Sequence, residues 1–144
     1  MIVEEDSFPI VRLHYDRPGS RDGETAFQIF ERLFAREQPF VLIGMGAQSE
    51  DLAQSHQERK DTALWMKRNR ESLHRLVKAM VYVQPQAAKR FVARAGAETF
   101  GKFWGYPMVV TASEARALAI ASRLLAGEDV SAFDAAERDD AANN

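Results

Sequence analysis

Cysteine is absent from this chain of 144 residues. Its absence excludes a disulfide framework, a thiol nucleophile and any thiolate-ligated zinc or iron–sulfur site. Long apolar runs are absent too, since none approaches the roughly 20 residues that a membrane-spanning helix needs. The acidic N-terminus lacks the basic and apolar regions of a signal peptide. We therefore expect a cytoplasmic protein with no membrane span.

Apolar residues make up 46% of the chain and charged residues 28%, which is the balance of an ordinary globular protein. A chain of this length can bury about two-thirds of its unfolded surface without a disulfide or a metal. We expect one α/β domain over residues 1–127. The acidic segment 128–144 holds only two large apolar residues and is predicted to be a disordered tail.

Charge is distributed unevenly along the chain. Residues 1–58 carry 5 basic and 11 acidic side chains, a net charge of −6. Residues 59–102 carry 11 basic and 3 acidic side chains, a net charge of +8. The basic zone is therefore the candidate surface for an anionic partner.

Hydrophobic periodicity predicts the element order ββαβαβαβα. Strands are predicted at residues 2–3, 10–15, 40–43, 79–83 and 108–111. Helices are predicted at 24–37, from 55 to 77, from Pro85, and after the capping residue Ser113. Right-handed crossovers make the later strands parallel, and the opening hairpin adds an antiparallel strand. The predicted fold is a mixed, mainly parallel five-stranded sheet flanked by four helices.

Two local patterns refine this prediction. Ser55 and Glu58 form a capping-box signature at the start of the second helix. In the third helix one apolar stripe is predicted to face the core, and its members are Ala88, Phe91, Val92, Ala95 and Thr99.

The order of elements over residues 1 to about 127 resembles the STAS family of anti-sigma-factor antagonists and its SpoIIAA-like bacterial relatives. The helix that carries Trp65 and the strand Ala79–Val83 after it are part of this resemblance. It implies a binding or regulatory domain rather than an enzyme. Regulatory members carry a phosphorylatable serine in a loop after a central strand. Ser49 lies in the corresponding loop, but the motif around it is missing, so phosphorylation there is doubtful.

No motif for catalysis, cofactor binding or metal binding is apparent in the sequence. Gly44-Met45-Gly46 resembles the opening of a dinucleotide-binding turn, but Ser49 stands where the third glycine is expected. His56 and His74 lie about 27 Å apart on one predicted helix, too far to share a metal. The alternative, a small α/β enzyme or a nucleotide-binding flavodoxin-like protein, stays open because distant residues can assemble a site. A flavodoxin-like fold would need a first strand followed directly by a helix, which the opening hairpin contradicts.

The strongest local feature is the basic second helix. Asn69 and Arg70 border its apolar stripe, and Arg59 lies in line with the stripe at one end. Arginine stems at such positions either cover apolar surface or bind an anionic group. Trp104 and Tyr106 belong to an aromatic cluster before the last strand, which forms either core or a docking surface. These five residues are the predicted binding site.

Two partners fit such a site: a second copy of the chain, giving a homodimer, or an acidic protein. A small anionic or lipid ligand is a further option. Pairing of the acidic zone of one copy with the basic zone of another favours the homodimer. Nucleic acid is not expected, because the pI is about 5.9 and few aromatic residues stand among the basic ones.

Overall fold

The computed structural model describes residues 1–17, 23–46 and 56–133. Its strands are β1 (Ile2–Glu4), β2 (Ile10–His14), β3 (Phe40–Met45), β4 (Val77–Val83) and β5 (Met108–Thr111). Its helices are α1 (Ala26–Phe34), α2 (His56–Leu76), α3 (Ala87–Trp104) and α4 (Glu114–Leu125), and a fifth helical segment spans residues 130–133. Among the described helices, none has the length and apolar character to cross a membrane.

The five strands form one sheet in the order β1-β2-β3-β4-β5. β1 pairs with β2 antiparallel, and every later pair is parallel. The prediction of a mixed, mainly parallel five-stranded sheet is confirmed. The order also differs from the 2-1-3-4-5 order of a flavodoxin-like sheet.

Helices cover both faces of the sheet. Because β2 to β5 follow one another in line, right-handed crossovers place α1, α2 and α3 on the same face. This three-helix face buries one core cluster, and α4 covers a second cluster on the opposite face. Phe40 and Leu42 point into the first cluster, while Val41 and Ile43 point into the second. The continuous apolar run of β3 is thus explained by burial on both sides.

Helix boundaries follow local capping chemistry. Thr25 and Gln28 form a reciprocal capping box, so α1 begins one residue after Thr25 rather than at Glu24. The predicted cap at Ser113 is confirmed, because its side chain accepts a hydrogen bond from the amide of Arg116. Pro85 is not the first residue of α3; the helix begins at Ala87 with Gln86 as its N-cap.

The prediction for the inner face of α3 is wrong. Phe91 is 77% exposed and Val92 is 70% exposed, and the other three members of the predicted stripe are exposed as well. The buried side holds Arg90, whose Nη1 donates to the carbonyls of Gln84 and Pro85 at 2.9 and 2.7 Å. These bonds anchor α3 at the end of β4, so the helix is turned by about half a revolution from the predicted orientation.

Some predictions fall outside the described residues. These are Ser49, the Ser55 half of the capping box, and the tail from residue 134 onward. Within the described part of the tail, residues 130–133 are helical, so the described residues hold one more helix than the four predicted. Phe133 of this segment is buried in the second core cluster. Arg123 lies over the Phe133 ring at 4.8 Å.

Candidate functional site

One side of α2 packs on α1 and is held by Trp65. Its ring stacks on Phe27 with 4.6 Å between centroids, and its Nε1 donates to Glu31 at 2.9 Å. The Nδ2 of Asn69 donates to the Trp65 carbonyl one turn earlier, also at 2.9 Å. Asn69 is therefore half-buried and its amide has an internal partner, so it contributes less to a binding surface than the sequence predicted.

Between α2 and the end of α3 the structure forms an open groove of about 730 Å³. Gly105 ends α3 in the left-handed conformation, with a φ of 85° that favours glycine. This turn leaves the Gly105 carbonyl 3.1 Å from Nδ1 of His74 on α2, and the hydrogen bond joins the two walls. We call this feature the basic groove, and it is lined by Lys67, Arg68, Arg70, Glu71, His74, Lys102 and Gly105.

The charge of the basic groove is not neutralised within the described part of the chain. Four of the lining residues are permanently cationic, and Glu71 is the one carboxylate among them. No carboxylate among the described residues lies within 4.0 Å of Lys67, Arg68 or Arg70. Lys102 pairs with Glu98 one turn away on α3, an exposed contact of 3.2 Å. The groove thus presents a surplus of positive charge to solvent.

Six acidic groups elsewhere in the described part of the chain form ion pairs with arginines. The pairs are Glu4 with Arg17, Glu5 and Glu24 with Arg32, Glu37 with Arg75, Glu114 with Arg12, and Glu128 with Arg123. Hydrogen bonding from the guanidinium of Arg75 lowers the pKa of Glu37, and Arg123 lowers the pKa of Glu128 in the same way. Four of the eight described acids of the N-terminal zone, Glu4, Glu5, Glu24 and Glu37, therefore bind arginines of their own chain.

The aromatic cluster before β5 divides into core and surface. Tyr106 is 5% exposed, and its ring contacts Phe100 edge-on at 5.7 Å. Burial raises the pKa of Tyr106, which keeps its hydroxyl neutral. Trp104 is half-buried, and Phe103 is 50% exposed beside it. The predicted docking role of Tyr106 is corrected accordingly, because its ring fills the core and is not available to a partner.

The structure brings only part of the predicted site together. Arg70 lines the basic groove, whereas Arg59 lies three turns earlier, about 16 Å along α2. His74 and Lys102 were not in the predicted site, although both line the groove. Lys102 lies within the basic zone, so its charge made it a candidate for an anion-binding surface. Its neighbours in the sequence do not indicate that it would lie next to α2.

The glycines at the end of β3 serve packing. A Cβ on Gly44 would lie 2.9 Å from both the Met80 sulfur and the Tyr15 ring. A Cβ on Gly46, which has a φ of 84°, would lie 2.5 Å from the carboxylate of Asp16. Because Gly44 and Gly46 have no side chain, they leave room for the Tyr15 ring and the Asp16 carboxylate. The Asp16 carboxylate would repel a phosphate group bound at this turn. Gly44 and Met45 also belong to β3 itself, which runs two residues further than predicted.

Residues 1–17, 23–46 and 56–133 contain no group of three histidine, aspartate or glutamate side chains that could hold a metal ion. His14 is buried with its Nε2 3.2 Å from Glu4, and the other two histidines are exposed on α2.

Comparison of the chain with family models, with curated proteins and with solved structures finds no match.

Proposed function

We propose that this protein is a binding domain without catalytic activity of its own, and that it takes an anionic partner at the basic groove. The observation that carries the proposal is the set of cations, Lys67, Arg68 and Arg70, that have no ion-pair partner among the described residues. The resemblance of the element order to STAS and SpoIIAA-like domains supports a binding or regulatory role.

The groove suits a partner with several negative charges. An exposed ion pair contributes only about 0–1 kcal/mol, because water and salt screen it. Useful affinity therefore needs several pairs formed together, and the groove offers cations from two helices. Arginine adds geometric selectivity, since its planar guanidinium can bind a carboxylate or phosphate through two hydrogen bonds.

An acidic partner fits this surface better than a second copy paired by charge. Charge pairing between copies would draw on the acidic N-terminal zone, yet Glu4, Glu5, Glu24 and Glu37 already bind cations of their own chain. Breaking those contacts to form equivalent ones elsewhere would bring little net gain.

The test is a titration of the protein with a short poly-glutamate peptide, followed through backbone amide NMR shifts. We expect the largest shifts in residues 67–74 and 102–105, and weaker binding as salt is raised. Arg70→Glu should weaken binding about threefold to tenfold, because it removes one attractive pair and adds a repulsive one. Arg116→Glu is the matched control: it changes charge equally on α4, which covers the opposite face of the sheet.

Shifts confined to other elements, or equal affinity in Arg70→Glu and Arg116→Glu, would show that the basic groove is not the binding site.

A further inference from the structure

The exposed apolar side chains are concentrated on one side of the molecule. Among the described residues, four large hydrophobic side chains are exposed: Leu64 at 51%, Phe91 at 77%, Val92 at 70% and Phe103 at 50%. Single exposed hydrophobic residues are normal on protein surfaces. Here, however, all four lie on α2 and α3, on the three-helix face of the sheet.

On α3 these side chains point away from the sheet. On a helical projection at 100° per residue, the reference is the direction that points straight away from the sheet. Phe91 lies about 60° to one side of this direction, Phe103 lies about 60° to the other side, and Val92 lies between them. Phe91 and Phe103 are 12 residues apart, so their separation along the helix axis is about 18 Å. They protrude separately, and neither lines the basic groove.

Cations lie beside two of these apolar positions. On α2, Leu64 has Lys60 and Asp61 one turn before it and Lys67 and Arg68 one turn after it, so three cations and one carboxylate lie beside it on the helix surface. On α3, Phe103 adjoins Lys102. The outer surface of the two helices is therefore both apolar and positively charged.

We propose that the outer surface of α2 and α3 docks on an anionic lipid bilayer. Acidic headgroups would occupy the basic groove, and Phe91, Val92 and Phe103 would enter the boundary between headgroups and acyl chains. Interfacial membrane binding is driven by this pairing of apolar insertion with attraction to anionic lipid. The inference rests on the proposed function, since it names the anionic partner of the same groove.

The shape of the surface favours a bilayer over a folded acidic protein. Energetically dominant residues at protein interfaces cluster near the centre, in packed pockets. The two phenylalanines instead stand about 18 Å apart and protrude, and a fluid interface accommodates such separate insertion points.

The experiment is cosedimentation of the full chain with two kinds of vesicle. One kind is phosphatidylcholine alone, and the other contains phosphatidylserine as about one-third of the lipid. We expect binding to the anionic vesicles only, and loss of binding at high salt. Arg68→Glu should lower the partition coefficient at least about fivefold, because one basic residue near the surface contributes about that factor. Arg116→Glu on α4 should leave it unchanged.

A double variant, Phe91→Ser with Val92→Ser, separates this inference from the proposed function. We expect it to lower vesicle binding about tenfold or more and to leave poly-glutamate binding unchanged, since neither residue lines the groove. Circular dichroism checks that the variant folds.

Three outcomes would contradict the inference. Peptide binding without vesicle binding would leave the proposed function intact and exclude the bilayer. Vesicle binding that the double variant does not weaken would exclude apolar insertion. Binding of neither probe would overturn both proposals.

Discussion

At the scale of single residues, Arg70 and Arg75 differ in whether a carboxylate among the described residues binds them. Both lie on α2, five residues apart and on different sides of the helix. Arg75 makes two hydrogen bonds to Glu37, while Arg70 lines the groove without an ion pair among the described residues. Glu37 reaches Arg75 from a left-handed backbone position just after α1, with a φ of 53°. This contact links the α1–β3 connection to α2.

The pair of Glu37 and Arg75 predicts a pH-dependent contribution to stability. Hydrogen bonding to Arg75 lowers the folded-state pKa of Glu37 from its ordinary value of 4.5. A carboxyl group whose pKa is lower in the folded state stabilises the fold at a pH above its unfolded-state pKa. This stabilisation is lost as the pH falls through the folded-state pKa. Glu37→Gln should therefore lower the free energy of unfolding at neutral pH, with the difference from the wild type disappearing well below pH 4.5.

Urea denaturation at neutral and acidic pH measures this difference. Glu71→Gln is the comparison variant. The charge of Glu71 also acts on Arg75, but Glu71 forms no ion pair within 4.0 Å among the described residues, so we expect a smaller effect. A Glu37→Gln effect that stays constant across the pH range would show that the carboxylate does not act through its charge.

At the scale of elements, α3 shows what periodicity can and cannot predict. The sequence pattern correctly predicts a helix, and it correctly predicts that Ala88, Phe91, Val92, Ala95 and Thr99 share one face. It assigns that face to the core because apolar residues are more often buried. The buried side instead contains Arg90, which bonds to the Gln84 and Pro85 carbonyls. Nothing in a single sequence indicates that an arginine will bond to backbone carbonyls that only the folded chain brings near.

The strands were more predictable. β5 is observed at the predicted residues, and β3 begins at the predicted Phe40. Their signal is local, since a short β-branched run is recognisable without knowing its neighbours. The extension of β3 through Gly44 could not be predicted, because it depends on pairing with Leu13 of β2 and Tyr82 of β4.

The orientation of α3 predicts how substitutions affect stability. Phe91→Ser should change the free energy of unfolding by no more than about 0.5 kcal/mol, because the side chain is already in water. Leu33→Ala on α1 should cost about 2–5 kcal/mol, because Leu33 is fully buried. Urea denaturation of both variants measures the contrast. A large decrease in the free energy of unfolding of Phe91→Ser would show that Phe91 makes a contact that this orientation of α3 does not provide.

At the scale of the whole molecule, a small net charge of −2 conceals a directional surface. Glu5 and Glu24 in the N-terminal zone and Glu128 after α4 are paired with arginines, while cations on α2 and α3 lie near exposed apolar side chains. The sequence predicted the basic zone and its sign from composition alone. It could not predict which acids were already bound, because those ion pairs join residues as far apart as Arg12 and Glu114.

This distribution predicts that association between copies does not depend on charge pairing. Sedimentation velocity at low and high salt should give the same mass, because screening weakens attraction between acidic and basic surfaces only where both are exposed and unpaired. The cations that α2 contributes to the basic groove are exposed and have no ion-pair partner among the described residues. Glu5, Glu24 and Glu37 of the acidic zone, however, already bind Arg32 and Arg75. A dimer at low salt that dissociates at high salt would contradict this expectation and make a second copy the anionic partner of the groove. In that case Arg70→Glu should abolish the dimer and Arg116→Glu should not, which would identify the basic groove as the contact between copies.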